Sequence, residues 1–147
     1  MSLLADVFPR PPEPVVRRLL EEAGLPTSDL TAGHFEHFFG CGAKDAPEGV
    51  VGVELHGRDA LLRSLVVEKR AQRRGLGRAL VAAAEHHSGK HGARRMYLLT
   101  TTAEKFFEHL GYEALARESA PESIRATQEF TTLCSSSSTL MVKNLGS

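Results

Sequence analysis

The chain of 147 residues is long enough for one domain with a hydrophobic core and too short for two ordinary domains. Its 41% apolar and 24% charged residues are typical of a globular protein, and a formal net charge of zero excludes a whole-chain field that would attract nucleic acid or an anionic membrane. The two cysteines, Cys41 and Cys134, make no disulfide or metal framework. No signal peptide or membrane span is recognised, so we expect one cytoplasmic domain over residues 1–147.

The first half of the chain begins with a weak strand signal from Leu3 to Phe8. Apolar residues at helical spacing predict a helix from Val15 to Ala23, which Gly24 ends. A second, short helix is predicted near Ser28 to Ala32. Apolar segments separated by polar turns then predict a strand ending near Cys41, a loop from Lys44 to Gly49, and strands from Val50 to His56 and from Ala60 to Val67.

The second half begins with a long helix predicted from Gly75 to His91, whose apolar stripe of small residues suits close packing on a sheet. The almost wholly apolar end of the run from Arg95 to Thr100 predicts a central strand. The last predicted elements are a helix from Ala103 to Leu110 capped by Thr102, a strand from Tyr112 to Arg117, a helix from Pro121 through Leu133, and a strand from Thr139 to Leu145.

The connection between the strand ending at Val67 and the long helix carries the clearest functional signal. It contains the pattern Gln72-x-x-Gly75-x-Gly77. Glycines let the backbone approach a ligand closely, and free N–H groups at a helix N-terminus attract negative charge. The same segment therefore predicts a pyrophosphate site, with cationic side chains supplied by Arg73, Arg74 and Arg78.

Two phosphate-binding loops of other folds do not fit this segment. A dinucleotide-binding fold places three glycines directly after the strand, whereas here Glu68 to Arg74 intervenes and Leu80 occupies the third glycine position. No Gly-Lys-Ser/Thr sequence follows, which excludes a Walker loop.

The remaining pattern resembles the Gln/Arg-x-x-Gly-x-Gly/Ala motif of the GNAT N-acetyltransferases. A second segment, Ala103-x-x-Phe106-Phe107-x-x-Leu110-Gly111-Tyr112, resembles the later helix and turn of that family. The alternative, a chance glycine turn in another α/β protein, is disfavoured by two ordered motifs at the right separation. The resemblance covers residues 59–117. It implies an α/β fold with a mixed central sheet, splayed between its fourth and fifth strands, and helices on both faces.

The resemblance also implies acetyl-CoA as co-substrate. In the family, the pantetheine arm pairs with the backbone of the fourth strand, and the glycine turn holds the pyrophosphate. The cofactor-binding residues implied here are Leu65, Val66, Val67, Gln72, Arg73, Arg74, Gly75, Leu76, Gly77, Arg78, Thr100, Phe106 and Phe107. No metal site is predicted, because the histidine groups His34/His37 and His86/His87/His91 lack companions at a recognisable ligand spacing.

Two charged residues within apolar strands are candidate catalytic residues. Acetyl transfer to an amine needs a base, and Glu54 is the first candidate because burial favours the neutral form of a carboxyl group. The alternative is that Glu54 faces solvent on the other side of the sheet. Arg63 interrupts a second apolar strand and needs a partner, which is an acidic substrate group or Glu54; a structural ion pair is an equal alternative.

Two positions depart from the family pattern. Many members carry a tyrosine that protonates the leaving thiolate, and Phe107 stands at that position. An asparagine that often contacts the cofactor is replaced by Thr100. These departures favour an alternative function, a CoA-binding module without turnover.

Three segments resemble a subfamily, the second type of arsenic-resistance-associated N-acetyltransferase. They are residues 61–65, 97–107 and 124–130. This resemblance implies acetylation of a small amine, such as an amino-acid-like organoarsenical or a related antibiotic, with Arg63 and Arg125 engaging an anionic group. A solvated helix face is the alternative for Arg125.

A third hypothesis is a protein N-acetyltransferase acting on a peptide terminus. It requires an open acceptor groove, whereas the predicted helix from Pro121 to Leu133 would cover the site and favours a small acceptor. Homodimers are common in the family, and the sequence leaves the oligomeric state open.

Overall fold

The structure, a computed structural model, describes residues 7–72, 75–128, 130–131 and 138–146. Among these residues no helix combines the length and apolar character needed to span a membrane. The helices are α1 (Glu13–Glu22), α2 (Ala32–Phe35), α3 (Leu76–Lys90), α4 (Glu104–His109) and α5 (Glu122–Arg125). The strands are β1 (Val7–Pro9), β2 (Phe38–Ala43), β3 (Ala46–His56), β4 (Asp59–Val67), β5 (Arg95–Thr100), β6 (Glu113–Leu115) and β7 (Thr139–Asn144).

The seven strands form a mixed sheet in the order β1-β2-β3-β4-β5-β7-β6. β4 and β5 pair in parallel over Asp59–Leu61 and Arg95–Tyr97, whereas β7 pairs antiparallel with both β5 and β6. The predicted α/β class with a mixed sheet is thus confirmed. By internal contacts the chain divides into two compact units, Met1–Glu54 with Leu62–His86, and Leu55–Leu61 with His87–Ser147. One domain over residues 1–147 stays a prediction.

In the first unit, α1 provides the apolar face that covers the core. Its proline-rich start is tolerated because the first turn of a helix has no internal partners for its N–H groups. Gly24 ends the helix with a φ of 75°, a left-handed conformation that favours glycine. The core contains the buried residues Val16, Leu19, Leu20, Leu30, Phe35, Phe38 and Val50.

The second unit has its own core beside the β5–β7 pair. Leu61, Tyr97, Ala120, Ile124 and Leu140 form a buried cluster there. The strand predicted from Arg95 to Thr100 is confirmed at both ends, and Met96, Tyr97 and Leu98 are almost fully buried, as its apolar character indicated.

Two predicted boundaries were wrong, and a third predicted element is interrupted. The second helix begins after Thr31, not near Ser28, because the Thr31 N–H donates to His34 Nδ1 at 3.0 Å in a capping box. The loop predicted over residues 44–49 is shorter, since β3 starts at Ala46 and a bulge lies between Cys41 and Gly42. The late helix predicted from Pro121 through Leu133 is interrupted: α5 ends at Arg125, and residues 128, 130 and 131 are again helical. Residues 129, 132 and 133 of this prediction lie outside the described residues.

Gly52 on β3 allows close packing against the ring of Phe38. A Cβ atom at Gly52 would lie 2.6 Å from Phe38 Cζ, and this ring is almost fully buried. We therefore expect Gly52→Ala to lower the free energy of unfolding by about 1–3 kcal/mol, measured by urea denaturation.

The matched control is Gly89→Ala in α3, where an added Cβ meets no atom within 4 Å. It is expected to raise the free energy of unfolding by about 0.5–1 kcal/mol, because alanine has the higher helix propensity. Equal effects of the two substitutions would contradict the packing argument.

Candidate functional site

The connection from β4 to α3 has the strand–turn–helix form that the sequence predicted. After Val67 the chain makes a short 3-10 turn over Lys69–Ala71, and α3 begins at Leu76. The side-chain amide of Gln72 donates to the Val67 carbonyl at 3.1 Å, which ties the turn to the end of the strand. Gly75 has a φ of 79° and its carbonyl accepts the first helical hydrogen bond, from Ala79.

Of the other residues predicted for this turn, Gly77 and Arg78 are described by the structure. Gly77 lies in the first turn of α3, and Arg78 beside it is exposed. Arg73 and Arg74 lie outside the described residues. The turn's role in binding a pyrophosphate stays a prediction.

Gly49 explains how β3 comes close to the end of β4. A Cβ atom at Gly49 would lie 2.8 Å from the carbonyl oxygen of Val66, which is backbone and cannot swing away. The Glu68 N–H also donates to the Glu48 carbonyl at 2.8 Å. These contacts hold the segment Leu65, Val66 and Val67, where the thioester is predicted to bind.

A cleft of about 620 Å³ opens beside this segment. It has a mixed lining: apolar side chains from α1 and β4, two carboxylates, one ammonium group and one amide. The residues that form it are Leu19, Glu22, Ala23, Val66, Val67, Glu68, Lys69 and Gln72. Of this set the sequence predicted Val66, Val67 and Gln72 as binding residues. It missed Glu68 and Lys69 and the residues at the end of α1, since nothing in the local pattern of a helix shows which strand end it faces.

Arg63 and Glu54, the two candidate catalytic residues, are in contact. Arg63 Nη1 donates to Glu54 Oε2 at 2.7 Å. The same nitrogen donates to Asp29 Oδ2 at 2.5 Å, and Nη2 donates to Asp29 Oδ1 at 2.9 Å. The Arg63 side chain is fully buried, and those of Asp29 and Glu54 are 6% and 11% exposed. The alternative that Glu54 faces bulk solvent is therefore disfavoured.

Arg63 is followed by a strained residue. Ser64 has a φ of 60°, in the left-handed region that non-glycine residues rarely adopt, although it lies within β4. Its hydroxyl accepts a hydrogen bond from Arg63 Nε at 3.2 Å. The Arg63 guanidinium thus has protein partners at all three nitrogens, which favours the ion-pair alternative over direct contact with an anionic substrate group.

Asp29 is held in its charged form. Burial opposes that form, but hydrogen bonds from Arg63, the charge of Arg63 and a smaller effect of His34 together hold the pKa of Asp29 below its ordinary value of 3.8. A lowered pKa in the folded state stabilises the fold above the ordinary pKa, and this contribution is lost as the pH falls through the lower, folded value.

We therefore expect the melting temperature to fall steeply on acidification below about pH 4. Asp29→Asn should flatten this part of the curve, since the linked protonation is removed. Thermal melts monitored by circular dichroism from pH 3 to pH 7 measure the melting temperature of the wild-type protein and of Asp29→Asn. Parallel curves for the two proteins would contradict the role of Asp29.

His34 completes the cluster. Its Nε2 lies 3.7 Å from Glu54 Oε2, too long for a hydrogen bond, and its Nδ1 accepts from the Thr31 N–H. One ligand atom each of Asp29, His34 and Glu54 lies within 4.8 Å of the others, a grouping that could hold a metal ion. The sequence missed this grouping. Arg63 already places a positive charge between the two carboxylates, which disfavours a second cation there.

The remaining predicted residues belong to the second unit. The Thr100 hydroxyl accepts a hydrogen bond from the Ala103 N–H at 3.0 Å, so Thr100, and not Thr102, supplies the side-chain oxygen at the start of α4. Phe107 is buried, with its ring 5.5 Å from that of Tyr112. Phe106 is 37% exposed. Arg125 is exposed on α5, which favours the solvated-face alternative.

Comparison with known protein families gives the class of the protein. A family model for an acetyltransferase (GNAT) domain matches residues 34–114. The matched residues include the Glu54–Arg63 pair and the whole connection from β4 to α3. The chain belongs to the GNAT acetyltransferase family.

Solved structures agree with this fold at low sequence identity. The chain is similar to N-acetylglutamate synthase from Neisseria gonorrhoeae, solved with coenzyme A and N-acetyl-glutamate, with a TM-score of 0.84 and 18% identity; the match covers 100% of this chain and 36% of the synthase. The chain therefore spans about a third of the synthase's length. No curated protein matches it significantly in sequence.

Two shorter proteins match over nearly their whole length. Rv2747 from Mycobacterium tuberculosis, solved with CoA, has a TM-score of 0.75 and 15% identity, with 94% of this chain and 98% of that one covered. The ribosomal-protein-S18-alanine N-acetyltransferase from Escherichia coli has a TM-score of 0.71 and 16% identity, covering 98% and 96%. At these identities the likeness shows the fold.

Proposed function

We propose that the protein transfers the acetyl group of acetyl-CoA to the amine of a small, polar, amino-acid-like acceptor. The observation that carries this proposal is the cleft beside Val66 and Val67, which opens at the strand end where the family pattern implies the thioester. The cleft contains the carboxylates of Glu22 and Glu68 and the ammonium group of Lys69. Charges of both signs suit a zwitterionic acceptor.

The chemistry assigned to the site follows from its residues. The turn from Gln72 to Arg78 holds the pyrophosphate, and a backbone N–H near Val66 or Val67 donates to the thioester carbonyl oxygen. Glu54 accepts the amine proton, directly or through water, as the nitrogen attacks the carbonyl carbon. The C–N bond forms, the C–S bond breaks, and the CoA thiolate leaves and takes a proton from water. Phe107 cannot donate this proton, and a thiolate needs little acid assistance.

Within this proposal, the acceptor is an anionic amino-acid analogue, such as an organoarsenical or an antibiotic. It is supported by the resemblance of residues 61–65, 97–107 and 124–130 to arsenic-resistance-associated N-acetyltransferases. N-acetyl-glutamate in the Neisseria synthase is an anionic amino-acid product bound to a protein of this fold. This proposal involves two basic residues. Arg63 is enclosed by the carboxylates of Asp29 and Glu54, whereas Arg125 is exposed.

The first test is a calorimetric titration with acetyl-CoA. The wild-type protein should bind with micromolar affinity, and a variant with bulky residues at Gly75 and Gly77 should lose binding. An amine screen follows, with L-glutamate and its analogues compared with amines that carry no carboxylate. Absence of binding to folded wild-type protein would refute the acetyltransferase proposal.

A second candidate function is a CoA-binding module without turnover. Phe107, buried in a ring cluster with Phe106 and Tyr112, favours it, because that position offers no proton donor. Binding of acetyl-CoA without transfer to any amine, and without hydrolysis dependent on Glu54, would establish this function instead.

A further inference from the structure

We propose that Gln72 is a positioning residue: its side-chain amide fixes the peptide that follows Val67, so that the Val67 N–H faces the acyl-pantetheine part of the cofactor. Within the turn that holds the pyrophosphate, Gln72 then acts through the backbone of β4 and not on the phosphate itself. This inference rests on the proposed function, in which the end of β4 and the turn before α3 bind two parts of acetyl-CoA.

The contact between Gln72 and Val67 joins the turn to the strand. Gln72 Nε2 donates to the Val67 carbonyl oxygen at 3.1 Å, across the 3-10 turn Lys69–Ala71. Because a carbonyl can only accept a hydrogen bond, the nitrogen and not the oxygen of the Gln72 amide is its partner. The end of this side chain is therefore held at the strand, although Gln72 is exposed and lines the cleft.

The peptide between Val67 and Glu68 is held on both sides. Its carbonyl oxygen accepts from Gln72, and its N–H donates to the Glu48 carbonyl oxygen on β3 at 2.8 Å. The C=O and N–H of a planar trans peptide point in opposite directions. The Glu68 N–H therefore faces β3, and the Val67 carbonyl faces the opposite side, where Gln72 binds it.

The preceding peptide, between Val66 and Val67, has the same orientation problem and the opposite result. Its carbonyl oxygen lies against Gly49 on β3, where an added Cβ atom would come within 2.8 Å of it. The N–H of this peptide, that of Val67, therefore points away from β3. The N–H and C=O of one strand residue share an edge, so the Val66 N–H faces β3. Val67, and not Val66, presents its N–H on the side that Gln72 controls.

Without the Gln72 contact, the peptide between Val67 and Glu68 would be held from the β3 side alone. The direction of the Val67 N–H would then vary, and a ligand that needs this group would bind more weakly by about 3–10-fold, which is the contribution of one hydrogen bond between neutral groups. A ligand that binds only at the glycine turn would keep its affinity.

The test compares Gln72→Met with wild type, because methionine has a similar length and no N–H donor. The Val67 carbonyl ¹³C and amide ¹⁵N resonances of the free protein report the contact, and both should shift in the variant. The dissociation constant of acetyl-CoA, measured by calorimetry, should rise about 3–10-fold. That of ADP, which carries a pyrophosphate without pantetheine, should stay within about twofold when it is followed by amide NMR shifts.

The matched control is Gln128→Met, at the other glutamine of the chain, which is exposed; it should change neither constant. Gln72→Leu is a second neutral variant in case Gln72→Met does not fold, and loss of folding in both would overturn the proposal in favour of a purely structural role.

Equal rises of the two dissociation constants would overturn the proposal in favour of direct phosphate contact. An unchanged Val67 carbonyl resonance, an unchanged affinity for acetyl-CoA, or wild-type spectra that do not respond to ADP would also overturn it. Failure of the proposed function is seen separately, as folded wild-type protein that does not bind acetyl-CoA.

Discussion

Replacing Glu54 with glutamine is expected to lower kcat for acetyl transfer by about 10²–10⁴-fold, with little change in the affinity for acetyl-CoA. Glutamine keeps the shape of the side chain but cannot accept the amine proton. Since the Glu54 side chain is only 11% exposed and lies against Arg63, bulk water has little access to replace it. Steady-state kinetics and a calorimetric titration with acetyl-CoA give the two quantities.

The matched control is Glu48→Gln on the same strand. Glu48 is half-buried, and its backbone carbonyl, which accepts from the Glu68 N–H, is unaffected by the substitution. This variant should retain kcat within about threefold of wild type. Similar kcat values for Glu54→Gln and wild type would exclude Glu54 as the base and leave water or another group in that role.

Replacing Arg63 with methionine is expected to lower the free energy of unfolding at pH 7 by about 3–5 kcal/mol. The substitution leaves two buried carboxylates, Asp29 and Glu54, within 4.8 Å of each other and without the cation between them. Methionine fills much of the same volume, so the loss measures the unpaired charges more than a cavity. Urea denaturation measures the difference.

The pH dependence of this difference distinguishes charge from packing. Below about pH 5 the carboxyls of Arg63→Met can take up protons, so its deficit relative to wild type should shrink as the pH falls. Arg18→Met, at an exposed position on α1, is the control and should change stability by less than about 0.5 kcal/mol. A deficit of equal size at pH 4.5 and pH 7 would contradict the electrostatic explanation.

Much of the fold could be predicted because its signals are local. Gly24 and Gly75 adopt positive φ at the end of α1 and before α3, where the sequence placed helix ends. The strand from Arg95 to Thr100 is apolar enough to be recognised as central from its own residues. The start of α2 was misplaced because the capping interaction joins Thr31 to a histidine, a residue that does not ordinarily indicate a capping box.

The features of the candidate site also divide into those that local sequence signals predict and those that depend on tertiary packing. The sequence by itself determined the family and the turn from Gln72 to Gly77, because a strand, a glycine turn and a helix N-terminus lie next to one another along the chain. It also singled out Glu54 and Arg63 as charges within apolar strands. Only the tertiary structure decided that Arg63 binds Asp29, which is 34 residues away, as well as Glu54, which is 9 away. A charged residue within an apolar strand indicates from the sequence that a partner is needed. Which residue becomes the partner depends on the packing of segments that lie far apart in the sequence.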